Sequence, residues 1–176
     1  MTEKNEKQNI VGIIPARGGS KGIPNKNIVE IGGNPLIKYT IDAALDSEML
    51  THCIVSTDSS LISDVAKSCG ALVPFKRPKH LSNDKALSLP VMQHAVEFME
   101  AEQGYQYDLV IMLQPTTPLR QTKDIDNANQ LNLRIKLLGI TELINNKLFE
   151  RVHPCLVKKD TYISNVNDVM NAVVLN

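Results

Sequence analysis

The apolar residues of this chain come in short blocks, each followed at once by turn-forming or polar residues. Ile10, Val11, Ile13 and Ile14 form the first block. Pro15 closes it, having no amide hydrogen to give a sheet. Such a run predicts a strand buried on both faces. Ile28 to Ile31 is a short alternating piece that stops at Gly32-Gly33. Asn34-Pro35 then has the form of an N-cap and a first helical residue. Ile37, Ile41, Ala44 and Leu45 recur with the period of an amphipathic helix. His52 to Val55 is the next strand, running into polar Ser56-Thr57-Asp58-Ser59. Asp58 or Ser59 is placed to cap a helix whose buried face is Leu61, Ile62, Val65, Ala66 and Cys69. Gly70 suits its stop, and Ala71 to Phe75 reads as a third strand.

Strand, helix, strand, helix, strand predicts an α/β fold with parallel strands and right-handed crossovers. Ligands bind such sheets outside the carboxyl ends of the strands, where the opening loop and Ser56 to Asp58 both fall. Lys76 to Ser88 is polar, contains Pro78 and reads as a long loop of the kind that carries function. From Leu89 a helix is expected to Gly104, with Met92, Ala95, Val96 and Met99 packing on one face. Tyr107 to Leu113 is a fourth strand, followed directly by the polar loop Gln114 to Arg120. Thr122 caps one more helix, with Asp124 and Asp126 in its first turns. Residues two apart on a helix point about 200° from each other, so this Asp-x-Asp fits a helix start better than a metal pair. From Asn129 the pattern loses definition. Ile135 to Ile140 suits either a fifth strand or a helix continuation, and Val152 to Asn176 holds only short apolar pieces.

Composition changes this picture little. The chain has 176 residues, the size of one domain, and 43% of them are hydrophobic. Aromatic residues are 4% with no tryptophan, which predicts an aliphatic core. The 19 basic and 19 acidic residues cancel, so net charge does not point to nucleic acid, and none is expected as a partner. No apolar run approaches the roughly 18 residues of a membrane span. Met1 to Gln8 is polar, unlike a secretory signal, and is expected to be a flexible tail. Cys53, Cys69 and Cys155 are scattered without a C-x-x-C, as reduced thiols of a cytoplasmic protein would be. His52, His80, His94 and His153 show no ligand spacing, so a zinc site is not expected.

The candidate chemistry lies in the loop after the first strand. It carries Gly18, Gly19 and Gly22, threaded by Arg17, Lys21 and Lys26, with the Ser20 hydroxyl among them. Glycines let a ligand approach bare amides, and fixed cations suit a polyanion, so the stretch predicts a phosphate cradle. Its order excludes the two commonest versions: Lys21 follows Ser20, and Gly18-Gly19 is followed by Gly22. A second loop offers Arg77, Ser82, Asp84 and Ser88, and a third offers Gln114, Thr116 and Arg120. Ser88 could also serve as a helix cap. Converging at one sheet edge, these groups suit a nucleoside triphosphate. Nucleotidyl transfer needs no nucleophilic side chain, since the acceptor oxygen itself attacks the α-phosphate.

The stretch IIPARGGSKGIPNKN resembles the N-terminal signature of the acylneuraminate cytidylyltransferases, the CMP-sialic acid synthetases. Arg77-Pro78, Leu81 and Asp84 resemble the family's second signature, and Leu113 to Arg120, LQPTTPLR, its third. The resemblance implies a three-layer Rossmann-like nucleotide-diphospho-sugar transferase fold with a mostly parallel sheet. It implies CTP as donor, a nonulosonic acid such as N-acetylneuraminic acid as acceptor, pyrophosphate release and Mg2+. Kdo, pseudaminic or legionaminic acid are alternative acceptors, and a catalytically impaired CTP-binding or dimer-forming remnant is a further reading. By motif position, Arg17 and Lys21 would hold the triphosphate and its transition-state charge. Ala16, Gly18 and Ser20 would also bind the nucleotide, and Lys26 and Asn27 would lie against phosphates and ribose. Arg77, Ala86 and Ser88 would surround cytosine, and Gln114 would face the sugar. Resemblance is strong from Ile10 to about Ala128, and His153-Pro154 echoes the start of the family's dimerisation arm, which implies a homodimer. The late Asp-x-Asp that holds magnesium in the family has no counterpart, since Asp168 stands alone. The expected organisation is a tail at 1–8, a nucleotide-binding α/β domain at 9–133, and a divergent segment at 134–176, with the C-terminal portion of the fold incomplete.

Overall fold

The computed structural model of the chain describes residues 8–128. The expectations placed on Ile135 to Ile140, His153-Pro154, Cys155 and Asp168 lie outside the described residues. The elements are β1 (Ile10–Pro15), β2 (Glu30–Ile31), β3 (Asn34–Pro35), α1 (Leu36–Leu45), β4 (His52–Ser56), α2 (Ser60–Ser68), α3 (Ser88–Gln103) and β5 (Leu109–Met112). Single 3-10 turns occupy Lys26–Ile28 and Lys79–Leu81, and residues 122–128 are helical.

The main sheet has the order β4-β1-β5 and is parallel throughout, with Ile13 opposite both Ile54 and Met112. β1 is therefore central, which is why its sequence is apolar on both sides. Alternation along it feeds two cores. Ile10 and Ile14 meet Ile37 and Ile41 of α1, Ile62 and Ala66 of α2, and Ile125. Val11 and Ile13 meet Met92, Ala95, Val96 and Met99 of α3. Helices on both faces of a parallel sheet make the expected three layers. The second core is less aliphatic than composition predicts. Tyr107 is fully buried in it, and its hydroxyl lies 2.7 Å from His52 Nδ1.

Several local expectations change. Asn34 does not cap α1; Pro35 takes the N-cap position without a side-chain bond, and the helix starts at Leu36. Asn34 and Pro35 form β3, pairing antiparallel with β2 across Gly32 and Gly33, both at positive φ. Successive positive φ values define a tight hairpin turn, so the two glycines pull Asn34 into a strand before the helix can start. Leu45 and Leu61 are exposed, and Leu36 and Thr40 fill out the buried face of α1 instead. Ala71 to Phe75 is not a continuous strand. It touches the edge of β4 through single bridges at Leu72 and Lys76. Pro74, between them, has no amide hydrogen to continue the ladder. Ser59 rather than Asp58 caps α2, its hydroxyl accepting from the Ile62 amide at 3.4 Å. Ser88 is the first residue of α3 and makes no side-chain cap bond.

Candidate functional site

Parallel strands end at one edge of the sheet, and the loops leaving them there enclose a cavity of about 580 Å³. Arg17, Ser20, Lys21, Lys26 and Asn27 reach it from the loop after β1. Arg77, Asp84, Ala86 and Ser88 reach it from the segment between the sheet edge and α3, and Gln114 from the loop after β5. Nine of the eleven predicted site residues therefore line one space. Ala16 and Gly18 do not. The Ala16 amide donates to the Ser56 carbonyl at 2.9 Å, and the Gly18 amide to Asp58 Oδ1 at 2.8 Å. Both are committed to bracing the loop against the end of β4 and the residues after it, so the bare amides include those of Gly19, Ser20, Lys21 and Gly22. Among the described residues, none of these four has a partner within the chain.

The loop holds its shape through Asn27, which is buried and donates from Nδ2 to the Arg17 carbonyl at 3.1 Å. Asn25, at φ 52, makes the left-handed step into the 3-10 turn. A Cβ on Gly18 would lie 3.3 Å from Ser59 Cβ, so glycine lets the loop sit on the start of α2. Arg17 and Lys21 project to one point. Arg17 Nη1 lies 2.6 Å from Asp84 Oδ1, and Lys21 Nζ lies 2.5 Å from Asp84 Oδ2. Hydrogen bonds from Lys21 and Arg17 hold the Asp84 carboxyl below the usual carboxylate range.

Arg77 and Arg120, which as sequence could be solvated charges, are both buried. Arg77 Nε donates to Ser56 Oγ at 3.0 Å and Nη2 donates to the Ser56 carbonyl. Burial pulls the guanidinium down to about 10; Arg17 acts in the same direction and Asp58 opposes it. Arg120 does not line the cavity, contrary to its grouping with the third loop's ligands. It braces that loop from behind, donating from Nη2 to the Gln114 carbonyl at 3.2 Å and from Nη1 to Thr40 Oγ1 at 3.5 Å. Desolvation lowers its pKa, against the pull of Asp124. Ser56, Asp58 and Thr40 were not singled out as supports. The polar ending of β4 signalled the first two, whereas nothing in the pattern marks Thr40, which lies 74 residues from the carbonyl it serves.

The described residues do not build a metal cage. No three His, Cys, Asp or Glu side chains gather among them. Among the described residues Asp84 is the one carboxylate lining the cavity, and it is engaged by two cations. Asp124 and Asp126 go separate ways: Asp124 Oδ2 accepts from the Gln121 amide at 2.9 Å, and Asp126 Oδ1 accepts from Ser47 Oγ at 2.5 Å. The first is half of a capping box, the helix-start role the spacing implies.

A cationic, amide-lined cavity over the carboxyl ends of a parallel sheet places the chain among nucleotide-binding α/β domains. Residues 11–137 match the family described as cytidylyltransferase, and the chain belongs to that family. It is 48% identical over 113 residues to a pseudaminic acid cytidylyltransferase of Campylobacter jejuni, covering 64% of this chain and 48% of the relative. It is 43% identical over 122 residues to an N-acylneuraminate cytidylyltransferase of Escherichia coli, covering 69% and 28%. A CMP-N,N'-diacetyllegionaminic acid synthase of Legionella pneumophila is 39% identical over 125 residues, covering 70% and 53%. The solved structure of CMP:2-keto-3-deoxy-manno-octonic acid synthetase complexed with CTP is similar at a TM-score of 0.56 and 26% identity, over 69% of this chain and 46% of that one. The chain thus spans about half the length, or less, of the curated relatives it matches. The Rossmann-like fold implied by the resemblance is shared with that solved structure.

Proposed function

We propose that the cavity binds CTP and that the chain serves a cytidylyltransferase, moving CMP to a nonulosonic acid such as N-acetylneuraminic acid with release of pyrophosphate. The observation that carries this is the meeting of Arg17 and Lys21 at one point 2.6 and 2.5 Å from a shared carboxylate, beside four amides without partners. An anion between two cations and a row of N–H groups is what a polyphosphate would become there. Arg17 and Lys21 would neutralise charge as the acceptor oxygen bonds to the α-phosphorus and the bond to the β-phosphate oxygen breaks. The acceptor hydroxyl passes its proton to water, and the departing pyrophosphate carries the charge the two cations stabilise. Lys26 and Asn27 would lie along phosphates and ribose. Arg77, held rigidly by Ser56, would present its remaining N–H groups to the base with Ala86 and Ser88, and Gln114 would face the acceptor.

Mg2+ is proposed as the companion of the triphosphate, carried by phosphate oxygens and water. The described residues do not supply a carboxylate cage for it. A cytoplasmic homodimer is proposed as well. Free Cys53 and Cys69 suit a reducing compartment, and a second copy would cover the interrupted edge at Leu72. Among the described residues no helix is long and apolar enough to cross a membrane.

Calorimetric titration of the full chain with CTP, UTP, ATP and GTP tests the donor, with CTP expected to bind most tightly. Equal affinity for all four would overturn the reading. A second reading concerns the acceptor. Relatives at 48%, 43% and 39% identity are named for three different acids. Pyrophosphate release with CTP and each acid in turn decides among them, and nucleotide binding without turnover on any acid would favour the non-catalytic remnant.

A further inference from the structure

Of the charged groups lining the cavity among the described residues, Arg17, Lys21, Lys26 and Arg77 are cations and Asp84 alone is an anion. Its two oxygens are shared out, one to Arg17 and one to Lys21. Both cations stand on the glycine loop, while Asp84 stands on the segment leading to α3, so the carboxylate ties the two walls of the cavity together. A local turn presents it there. Asn83 Oδ1 accepts from the Lys85 amide at 2.8 Å, and the Ala86 amide donates to the Asn83 carbonyl at 3.2 Å. We propose that Asp84 is an internal anion occupying the polyphosphate position between Arg17 and Lys21, and that a nucleotide enters by displacing it. This rests on the cavity being a triphosphate site.

The chemistry fits a contact made to be exchanged. Each oxygen takes a charge-assisted bond of the kind a phosphate oxygen would take. The Asp84 side chain is 39% exposed and that of Lys21 79% exposed, so water and salt weaken the pairs. A triphosphate brings more negative charge than one carboxylate and can also use the four unpartnered amides, which Asp84 does not touch. Until then the carboxylate keeps two like-charged side chains directed to one point, where their mutual repulsion would otherwise part them. Displacement frees the segment around Asp84 from the glycine loop, so occupation and opening of the cavity are linked.

The test is calorimetric titration of the full chain and its variants with inorganic tripolyphosphate and with CTP. Asp84→Asn is expected to bind tripolyphosphate about three- to tenfold more tightly than the parent, the range set by partly exposed ion pairs. Asp84→Ser carries the same expectation, which guards against a peculiarity of one side chain. In a Lys21→Ala background the gain is expected to shrink, because one of the two cations Asp84 occupies is gone. Unchanged or weaker binding by both Asp84 variants, with parent binding intact, overturns the proposal and leaves the triphosphate reading standing. So does a gain of the same size in the Lys21→Ala background. Failure of parent and variants alike to bind either ligand overturns both.

Discussion

At the scale of single residues, one serine organises more of the site than its sequence context suggests. Ser56 holds Arg77 with both its hydroxyl and its carbonyl, inside the protein where the guanidinium has little water. Ser56→Ala leaves Nε buried without its partner. The expected loss is about 1–3 kcal/mol in urea-induced unfolding, with weaker CTP binding alongside. Lys21→Ala works differently. Lys21 is exposed and, among the described residues, its one ion pair is with Asp84, so CTP affinity is expected to fall about tenfold or more while the unfolding midpoint stays put. Loss of stability without loss of affinity would contradict the assignment. Arg77 and Lys21 were both legible, because glycine, proline and cation spacing is local. The Ser56 contact was not, since it joins positions 21 residues apart, and a linear pattern carries no sign of that distance. Arg120 shows the limit more sharply: the motif that contains it placed it among ligands, and the fold turned it behind them.

At the scale of elements, periodicity predicted existence better than ends. α1, α2, α3, β1, β4 and β5 lie where the apolar spacing puts them. The errors fall at glycine and proline, where backbone geometry overrides side-chain pattern. Gly32-Gly33 made a hairpin of what read as a helix cap, and Pro74 broke what read as a strand. Gly70 was read correctly as the stop of α2. It sits at φ +91, and a Cβ there would lie 3.2 Å from Leu45 Cδ1. Gly70→Ala is therefore expected to destabilise the chain by about 1–2 kcal/mol, measured by chemical denaturation, because L-residues resist this conformation. A neutral result would mean that the link between α2 and the sheet edge adjusts freely.

At the scale of the whole molecule, the two histidines flanking the second core set an acid limit. Burial lowers the pKa of His52 and of His94 below the ordinary 6.5. His52 bonds Tyr107, while His94 Nδ1 is buried without a hydrogen-bond partner among the described residues and its ring packs against Phe75. As pH falls below 6.5, the unfolded chain takes up protons that the folded chain does not. Their contribution to stability is thus present above that pH and is lost as pH falls through the lowered folded values. Thermal midpoints measured from pH 8 to pH 5 are expected to drop, and to drop less steeply in His94→Gln. An equally steep profile in that variant would assign the loss to His52 rather than His94.

By itself the sequence determined the layers and the class of chemistry. Apolar blocks of strand length alternating with helical periods leave few ways to bury both faces of β1, and a loop of three glycines among three cations has few uses but an anion. What only the tertiary structure decided is which of those groups face one another. Ala16 and Gly18 spend their amides on β4, Arg120 turns to Gln114's carbonyl, and Asp84 closes on Arg17 and Lys21. The physical reason is that a buried or cationic group takes whatever partner the packed strands bring within about 3 Å, and that partner is set by how the sheet stacks its strands rather than by the residues beside it in the chain.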